Sequence, residues 1–209
     1  MAAEAPPEKK HRPEAAEQSR APPLFIEEIA NAGPARGAFD APFQWRFTVR
    51  VATSLSEPFD VVAKWVNLAD EAKDMVMDEV EVDPIEPTNG APAVFELETD
   101  PLDLANLTFD ETELLDSHCV EVVCRYRGAT FAAQTFEVRV SWADPKHETD
   151  MPDAVEAKLL RREIMVQPRG KRVRHYPIRW GLPGETADAK KDEGAAAGTS
   201  PDGKVEAAV

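Results

Sequence analysis

The chain has only two cysteines in 209 residues, and no apolar run approaches the length of a membrane-spanning helix. Its first residues, MAAEAPPEKKHRPE, contain no apolar segment of the kind that a signal peptide requires. Two cysteines without an export signal indicate a reducing compartment, either the cytosol or the nucleus. We therefore expect an intracellular protein that has no membrane partner.

Basic residues are scarce relative to acidic ones, 24 against 39, which gives a net charge of −15. This surplus disfavours bare nucleic acid as the main target and favours a basic partner. The charge is also unevenly distributed: residues 60–121 hold eighteen acids and two bases, whereas residues 158–179 hold eight bases and one acid. A charge run is usually a solvated face, but two opposed regions favour a surface matched to a partner of mixed charge.

Catalytic motifs are absent from the sequence. The four histidines are scattered at positions 11, 118, 147 and 175. There is no Gly-rich phosphate loop, nucleophile elbow or His-Glu-x-x-His motif, and the carboxylates lack a spacing that suits acid/base catalysis. We therefore expect a protein that is not an enzyme and that has no cofactor and no metal site.

Composition divides the chain into three parts. Residues 1–23 are rich in Ala, Pro, Glu and Lys, and residues 181–209 are rich in Ala, Gly, Asp and Lys. Neither segment has an apolar period, so both are predicted to be disordered tails. The chain as a whole is 43% hydrophobic, which is enough to bury a core. One globular domain is therefore predicted over residues 24–180.

Apolar and polar residues alternate through this domain, as is typical of β-strands. The pattern occurs in FQWRFTVRV (43–51), DEVEVD (78–83), VFELE (94–98) and YPIRW (176–180), and near residues 25–29 and 61–66. Many short strands separated by turn signals predict an all-β fold, an immunoglobulin-like sandwich. One helix is predicted over DAVEAKLLRREIM (153–165), and a helical turn over DETELLD (110–116).

Residues 116–142, DSHCVEVVCRYRGATFAAQTFEVRVSW, are predicted to form a hairpin. Cys119 and Cys124 lie five residues apart, so a regular strand points them to opposite faces. They can then neither share a metal ion nor form a disulfide. Cys124 belongs to an apolar set that faces the core, together with His118, Val120, Val122 and Tyr126. On the return strand, alternation predicts that Ala132, Phe136, Val138 and Val140 also face inward.

The other face of the hairpin is predicted to be partly apolar and partly acidic. It carries Ser117, Cys119, Glu121, Ala133 and Glu137. An ordinary solvated face and a partner surface both fit this pattern. Two interpretations are likewise open for RGKRVRH (169–175): an import signal or nucleic-acid patch, or an edge strand protected by charge, of which the second is favoured.

Six segments resemble, in order and spacing, motifs of the anti-silencing-function histone chaperones. They are APFQWRFTV, LSEPFDV, DMVMDEVEVDPIEP, CRYRGATF, RREIM and RVRHYPIRW. The resemblance covers about residues 23–180. It implies an elongated immunoglobulin-like sandwich that binds the heterodimer of histones three and four, blocks tetramer formation and transfers histones to assembly factors. It further implies a monomer in the nucleus with a cytoplasmic pool.

The resemblance also implies contact residues. Those expected to meet histone three are Val66, Asp74, Glu113, Cys119, Glu121, Ala133, Phe136 and Glu137. Cys119 stands where the family has a central apolar valine, and Glu121 stands where it has a leucine. Ala133 replaces a family arginine, and the pair Phe136-Glu137 replaces two tyrosines. The face is therefore expected to be more acidic and less aromatic than is usual for the family.

Two further sites are implied by the same resemblance. A histone-four tail is expected to add as a strand along Arg172, Val173 and Arg174, and chromatin-assembly factors are expected at Glu57 and Pro58. Two alternative functions remain open from the residues alone. One is an immunoglobulin-like adapter for basic peptides, and the other is a sandwich that binds nucleic acid through its basic C-terminal strand.

Overall fold

The computed structural model describes residues 21–66, 74–102, 114–115, 117–165 and 172–182. The chain separates into two compact units, Met1–Ile178 and Arg179–Val209. In the second unit, Arg179–Leu182 are described and have no regular secondary structure. Most of both predicted tails lies outside the described residues. No helix in the described part of the chain is long and apolar enough to cross a membrane.

The described residues of the first unit form ten β-strands and two short 3₁₀ helices. The strands are β1 (Leu24–Asn31), β2 (Arg36–Ala38), β3 (Gln44–Val51), β4 (Phe59–Val66), β5 (Met75–Val82), β6 (Ala93–Glu98), β7 (Ser117–Tyr126), β8 (Ala129–Trp142), β9 (Leu160–Ile164) and β10 (Arg174–His175). The 3₁₀ helices are Pro145–Glu148 and Ala157–Leu159.

The strands pair into two antiparallel sheets. The smaller sheet has the order β1-β3-β6, and the larger has the order β2-β9-β8-β7-β4-β5. Strand β10 also pairs with β8, beside Ala132 and Ala133, whereas β9 pairs with the later residues Val138–Trp142. The all-β sandwich predicted from the period of two is confirmed.

The core lies between the two sheets and is rich in aromatic side chains. Trp45 of β3 packs on Phe136 of β8 with 4.5 Å between ring centroids. Phe59 of β4 contacts Phe95 of β6, at 6.2 Å, and Phe131 of β8, at 5.8 Å. Burying one such side chain contributes about 1.5–3 kcal/mol, so these contacts hold the layers together.

The helix predicted over residues 153–165 is wrong. Only Ala157–Leu159 form a helical turn, and the next five residues form β9. Leu160 and Ile164 are four apart, which suits one face of a strand as well as one face of a helix. Pairing with β8 decides between the two. Without residues 160–164, the backbone groups along one edge of Val138–Trp142 in the 14-residue β8 would lack hydrogen-bonding partners, and β9 supplies them.

The strand predicted over residues 176–180 is also wrong, because β10 ends at His175. Pro177 has no N–H group with which to continue the ladder. The helical turn predicted over residues 110–116 falls mostly outside the described residues. The strands predicted near residues 25–29, 43–51, 61–66, 78–83 and 94–98 are confirmed as β1, β3, β4, β5 and β6.

Arg162 of β9 is a buried cation with a structural role. Its guanidinium donates hydrogen bonds to the carbonyl oxygens of Phe39, at 2.9 Å, and Pro42, at 2.7 Å. It also lies 3.5 Å from the centroid of the Phe43 ring. Burial lowers the pKa of Arg162 to about 10. One member of the basic segment 158–179 therefore fastens the β2–β3 loop and is not available to a partner.

Candidate functional site

The candidate site is the side of β4, β7 and β8 that is turned away from the core, here called the outer face. Strand register sets its side chains in three rows across these strands. The rows are Val66, Cys119 and Glu137; then Lys64, Glu121 and Thr135; then Val62, Val123 and Ala133. The outward set predicted for the β7–β8 hairpin, which includes Cys119, Glu121 and Glu137, therefore lies on one surface.

The two cysteines point to opposite sides of β7, as their odd spacing predicts. Cys124 is fully buried, and burial raises the pKa of its thiol to about 12. Cys119 is half-buried on the outer face, between Val66 and Glu137. Neither cysteine forms a disulfide. In the described ranges, no group of three His, Cys, Asp or Glu residues is placed to hold a metal ion.

One row of the outer face is apolar and almost completely buried. Val62, Val123 and Ala133 form a cluster with exposures of 0%, 4% and 2%. Ala133 was expected on this face as a histone-three contact; it lies on this face, but it is only 2% exposed. It is aligned with Val123 of β7 on one side and with Arg174 of β10 on the other. This row is therefore already covered within the chain and leaves little area for a partner to contact.

Phe136 was also expected to contact a partner, and the structure places it elsewhere. It is 3% exposed, is aligned with Val120 and packs against Trp45 in the core. The alternation of side chains along the strand predicted this inward position for Phe136, whereas the family resemblance predicted a histone contact. The structure agrees with the alternation. His118 is buried on the same side, with its Nε2 in a hydrogen bond to the Leu114 carbonyl at 2.9 Å.

The carboxylates on this side of the sheet differ in their neighbours. Arg174 Nη2 lies 2.5 Å from Glu121 Oε1 and 3.2 Å from Thr135 Oγ1. Glu163 of β9 pairs with Arg36 at 2.9 Å. Glu137 is half-buried. The outer face is thus less acidic than the sequence suggests, because the chain's own arginines neutralise part of it.

The remaining residues expected at the histone-three contact are only partly described. Val66 is half-buried at the end of β4, and Asp74 is exposed immediately before β5. Glu113 lies outside the described residues.

The residues expected to meet a histone-four tail lie at β10. Arg172 is exposed, but the side chain of Val173 is 8% exposed and packs inward. The N–H of Tyr176 donates to the Phe131 carbonyl on β8 at 2.9 Å. Because N–H groups alternate along a strand, those of Val173 and His175 point away from β8. The backbone edge of β10, more than its side chains, is what it offers to a peptide.

One of the two residues expected to meet assembly factors, Pro58, lies near a groove that the sequence did not reveal. The groove, of about 300 Å³, separates the edge strands β5 and β6 and is lined by Glu81, Val82, Asp83, Ile85, Ala93, Val94, Phe95, Glu96 and Leu97. Pro58 immediately precedes Phe59, which is aligned with Val82. Glu57 forms an ion pair with Arg127. A sequence feature that could have indicated this groove is Ile85, an isolated apolar residue between Pro84 and Pro87.

Comparison with known proteins adds one finding at the level of families. A family model described as ASF1 like histone chaperone matches residues 26–181, which include every residue of the outer face. No curated protein matches the chain individually.

Proposed function

Because the chain belongs to the ASF1-like histone chaperone family, we propose that it binds the heterodimer of histones three and four in the nucleus. Histone three is the partner of the outer face, and one chaperone binds one heterodimer. The family match supports a histone partner, and the charge of the chain favours a basic one. The identification of the partner as the heterodimer of histones three and four rests on the resemblance of the sequence motifs to those of the family.

The observation that carries this proposal is the composition of the outer face. At one end of this face Val66 and Cys119 lie side by side and half-buried, and the half-buried side chain of Glu137 lies beside Cys119. Apolar side chains bordered by a carboxylate suit an amphipathic basic helix, whose apolar side packs on Val66 and Cys119.

The proposed mechanism is steric capture without catalysis. A heterodimer held against the outer face has its own tetramer contact covered, so that a second heterodimer cannot join. The edge of β10 would then hold an extended segment of histone four through backbone hydrogen bonds. The buried Val173 side chain anchors that edge to the domain.

A second binding site is proposed at the groove between β5 and β6, for a peptide of an assembly factor. Val82, Ile85 and Phe95 provide apolar contacts, and Glu81, Asp83 and Glu96 surround them with negative charge. This lining suits a peptide with both apolar and basic residues. The site lies on a different edge from β10, so histone and assembly factor need not compete for it.

Sedimentation of the full chain mixed with histones three and four tests the main proposal. We expect one complex containing a single heterodimer and a single chaperone. Free histone tetramer beside free chaperone would contradict it. An adapter for basic peptides would instead bind isolated histone tails while leaving the tetramer intact, so the same experiment separates the two functions.

A further inference from the structure

The two glutamates of the outer face occupy neighbouring strands but have different surroundings. Glu121 accepts a hydrogen bond from Arg174, and its side chain is only 24% exposed. Glu137 lies one row away, aligned with Cys119. It has no ion-pair partner among the residues that the structure describes. Sequence alone treats these two acids as equivalent.

Arg174 is held over Glu121 by more than one contact. Its backbone is aligned with Ala133 of β8, which fixes where its side chain begins. Its guanidinium also donates to Thr135 Oγ1 at 3.2 Å. Across the sheet, Lys64 of β4 is directly opposite Glu121, at a spacing where opposite charges attract. Glu121 therefore has a cation on each side from within its own chain.

We propose that Glu137, and not Glu121, is the carboxylate of the outer face that recognises a cationic side chain of histone three. Arg174 neutralises Glu121 internally and so determines which acid is available. This inference rests on the proposed function. A cation of the partner that approached Glu121 would have to displace Arg174, which exchanges one ion pair for another. A cation that approaches Glu137 gains a pair without breaking one that the structure describes.

The assignment makes Arg174 a specificity-determining residue. With Arg174 in place, the row of Lys64, Glu121 and Thr135 carries no net negative charge. Of the three rows, only that of Val66, Cys119 and Glu137 is negatively charged, through Glu137. Removing the guanidinium exposes Glu121 and gives a basic partner a second acid. Removing only the Glu121 carboxylate leaves two cations, Lys64 and Arg174, on a surface that must meet a basic partner.

Four variants of the full chain test the assignment by their affinity for the histone three–four heterodimer at low and moderate salt. Glu137→Gln should weaken binding about fivefold or more, with a shallower salt dependence. Arg174→Gln should tighten binding roughly two- to fivefold at low salt, with a smaller gain at higher salt. Glu121→Gln should weaken binding, and Glu121→Gln combined with Arg174→Gln should restore affinity close to that of the wild type.

The double variant separates the assignment from its rival. If Glu121 met the histone directly, the double variant would still lack that contact and would bind clearly more weakly than the wild type, and that result would overturn the inference. Wild-type affinity in Glu137→Gln would overturn it as well. Circular dichroism controls for folding, and a heterodimer without the histone-four tail controls for any effect on β10. A wild-type chain that binds no histone would overturn the proposed function itself, whereas the other two results would leave it standing.

Discussion

Replacing Cys119 by arginine is the most direct perturbation of the proposed histone-three surface. Cys119 is half-buried on the outer face, between Val66 and Glu137. In the complex, the introduced guanidinium would have to leave water and face a basic partner. It would also attract the Glu137 carboxylate and withdraw it from the histone.

Glu137 can pair with the introduced guanidinium or with a cation of the histone but not fully with both, so one cation at the interface is left uncompensated, which typically costs about 3–5 kcal/mol. Since about 1.4 kcal/mol corresponds to a tenfold change in affinity, histone binding should weaken by roughly two to three and a half orders of magnitude. The fold should survive, because the side chain points away from the core and Glu137 can accept the new cation.

Fluorescence anisotropy with a labelled histone heterodimer, at constant salt, measures the affinity. Cys119→Val is the matched control, since it keeps an apolar side chain at the position, and it should bind at least as tightly as the wild type. Thermal denaturation followed by circular dichroism reports folding. If Cys119→Arg is folded and binds within about threefold of the wild type, a difference of less than about 0.7 kcal/mol, the histone-three surface lies elsewhere.

Three other predictions concern the core and β10. Burial raises the pKa of the Cys124 thiol from 9.0 to about 12, so above pH 9 only the unfolded chain loses this proton, and the free energy of unfolding should fall by up to about 1.4 kcal/mol per pH unit. Urea denaturation between pH 9 and 10 should show that the free energy of unfolding falls less steeply with pH in Cys124→Ala than in the wild type. Equal slopes in the two chains would contradict the prediction. Arg162→Lys should lower the free energy of unfolding by about 1–3 kcal/mol, because one ammonium group cannot reach both carbonyls; a loss below about 0.5 kcal/mol in urea denaturation would show that the guanidinium fork is unimportant. Val173→Pro should weaken histone binding about tenfold by removing the N–H that points away from β8, whereas a heterodimer without the histone-four tail should bind both chains equally; unchanged affinity for the intact heterodimer would exclude strand addition at β10.

Features with a local cause were predictable from the sequence. Alternation along β3, β4 and β7 follows from the geometry of a single strand, and it correctly placed Cys119 and Cys124 on opposite faces. The turn between β7 and β8 is local as well. Arg127 and Gly128 have φ angles of 52° and 76°, which suit a two-residue hairpin turn. The same alternation assigned Phe136 to the core, against the expectation from the family pattern.

Features that depend on distant neighbours were decided only by the tertiary structure. Residues 160–164 became a strand because β8 has an edge to fill, and no pattern within the segment distinguishes this from a helix. Ala133 is buried, and the strand that pairs beside it, β10, comes from a distant part of the chain. Arg174 and Glu121 lie 53 residues apart, and only the packing of β10 against β8 brings them together.

The sequence by itself thus determined which residues share a face, because side-chain direction repeats with the period of the strand. Whether a carboxylate on that face is available to a partner was decided by packing alone. An ion pair depends on distance, and the distance between Arg174 and Glu121 is set by the pairing of strands far apart in the chain.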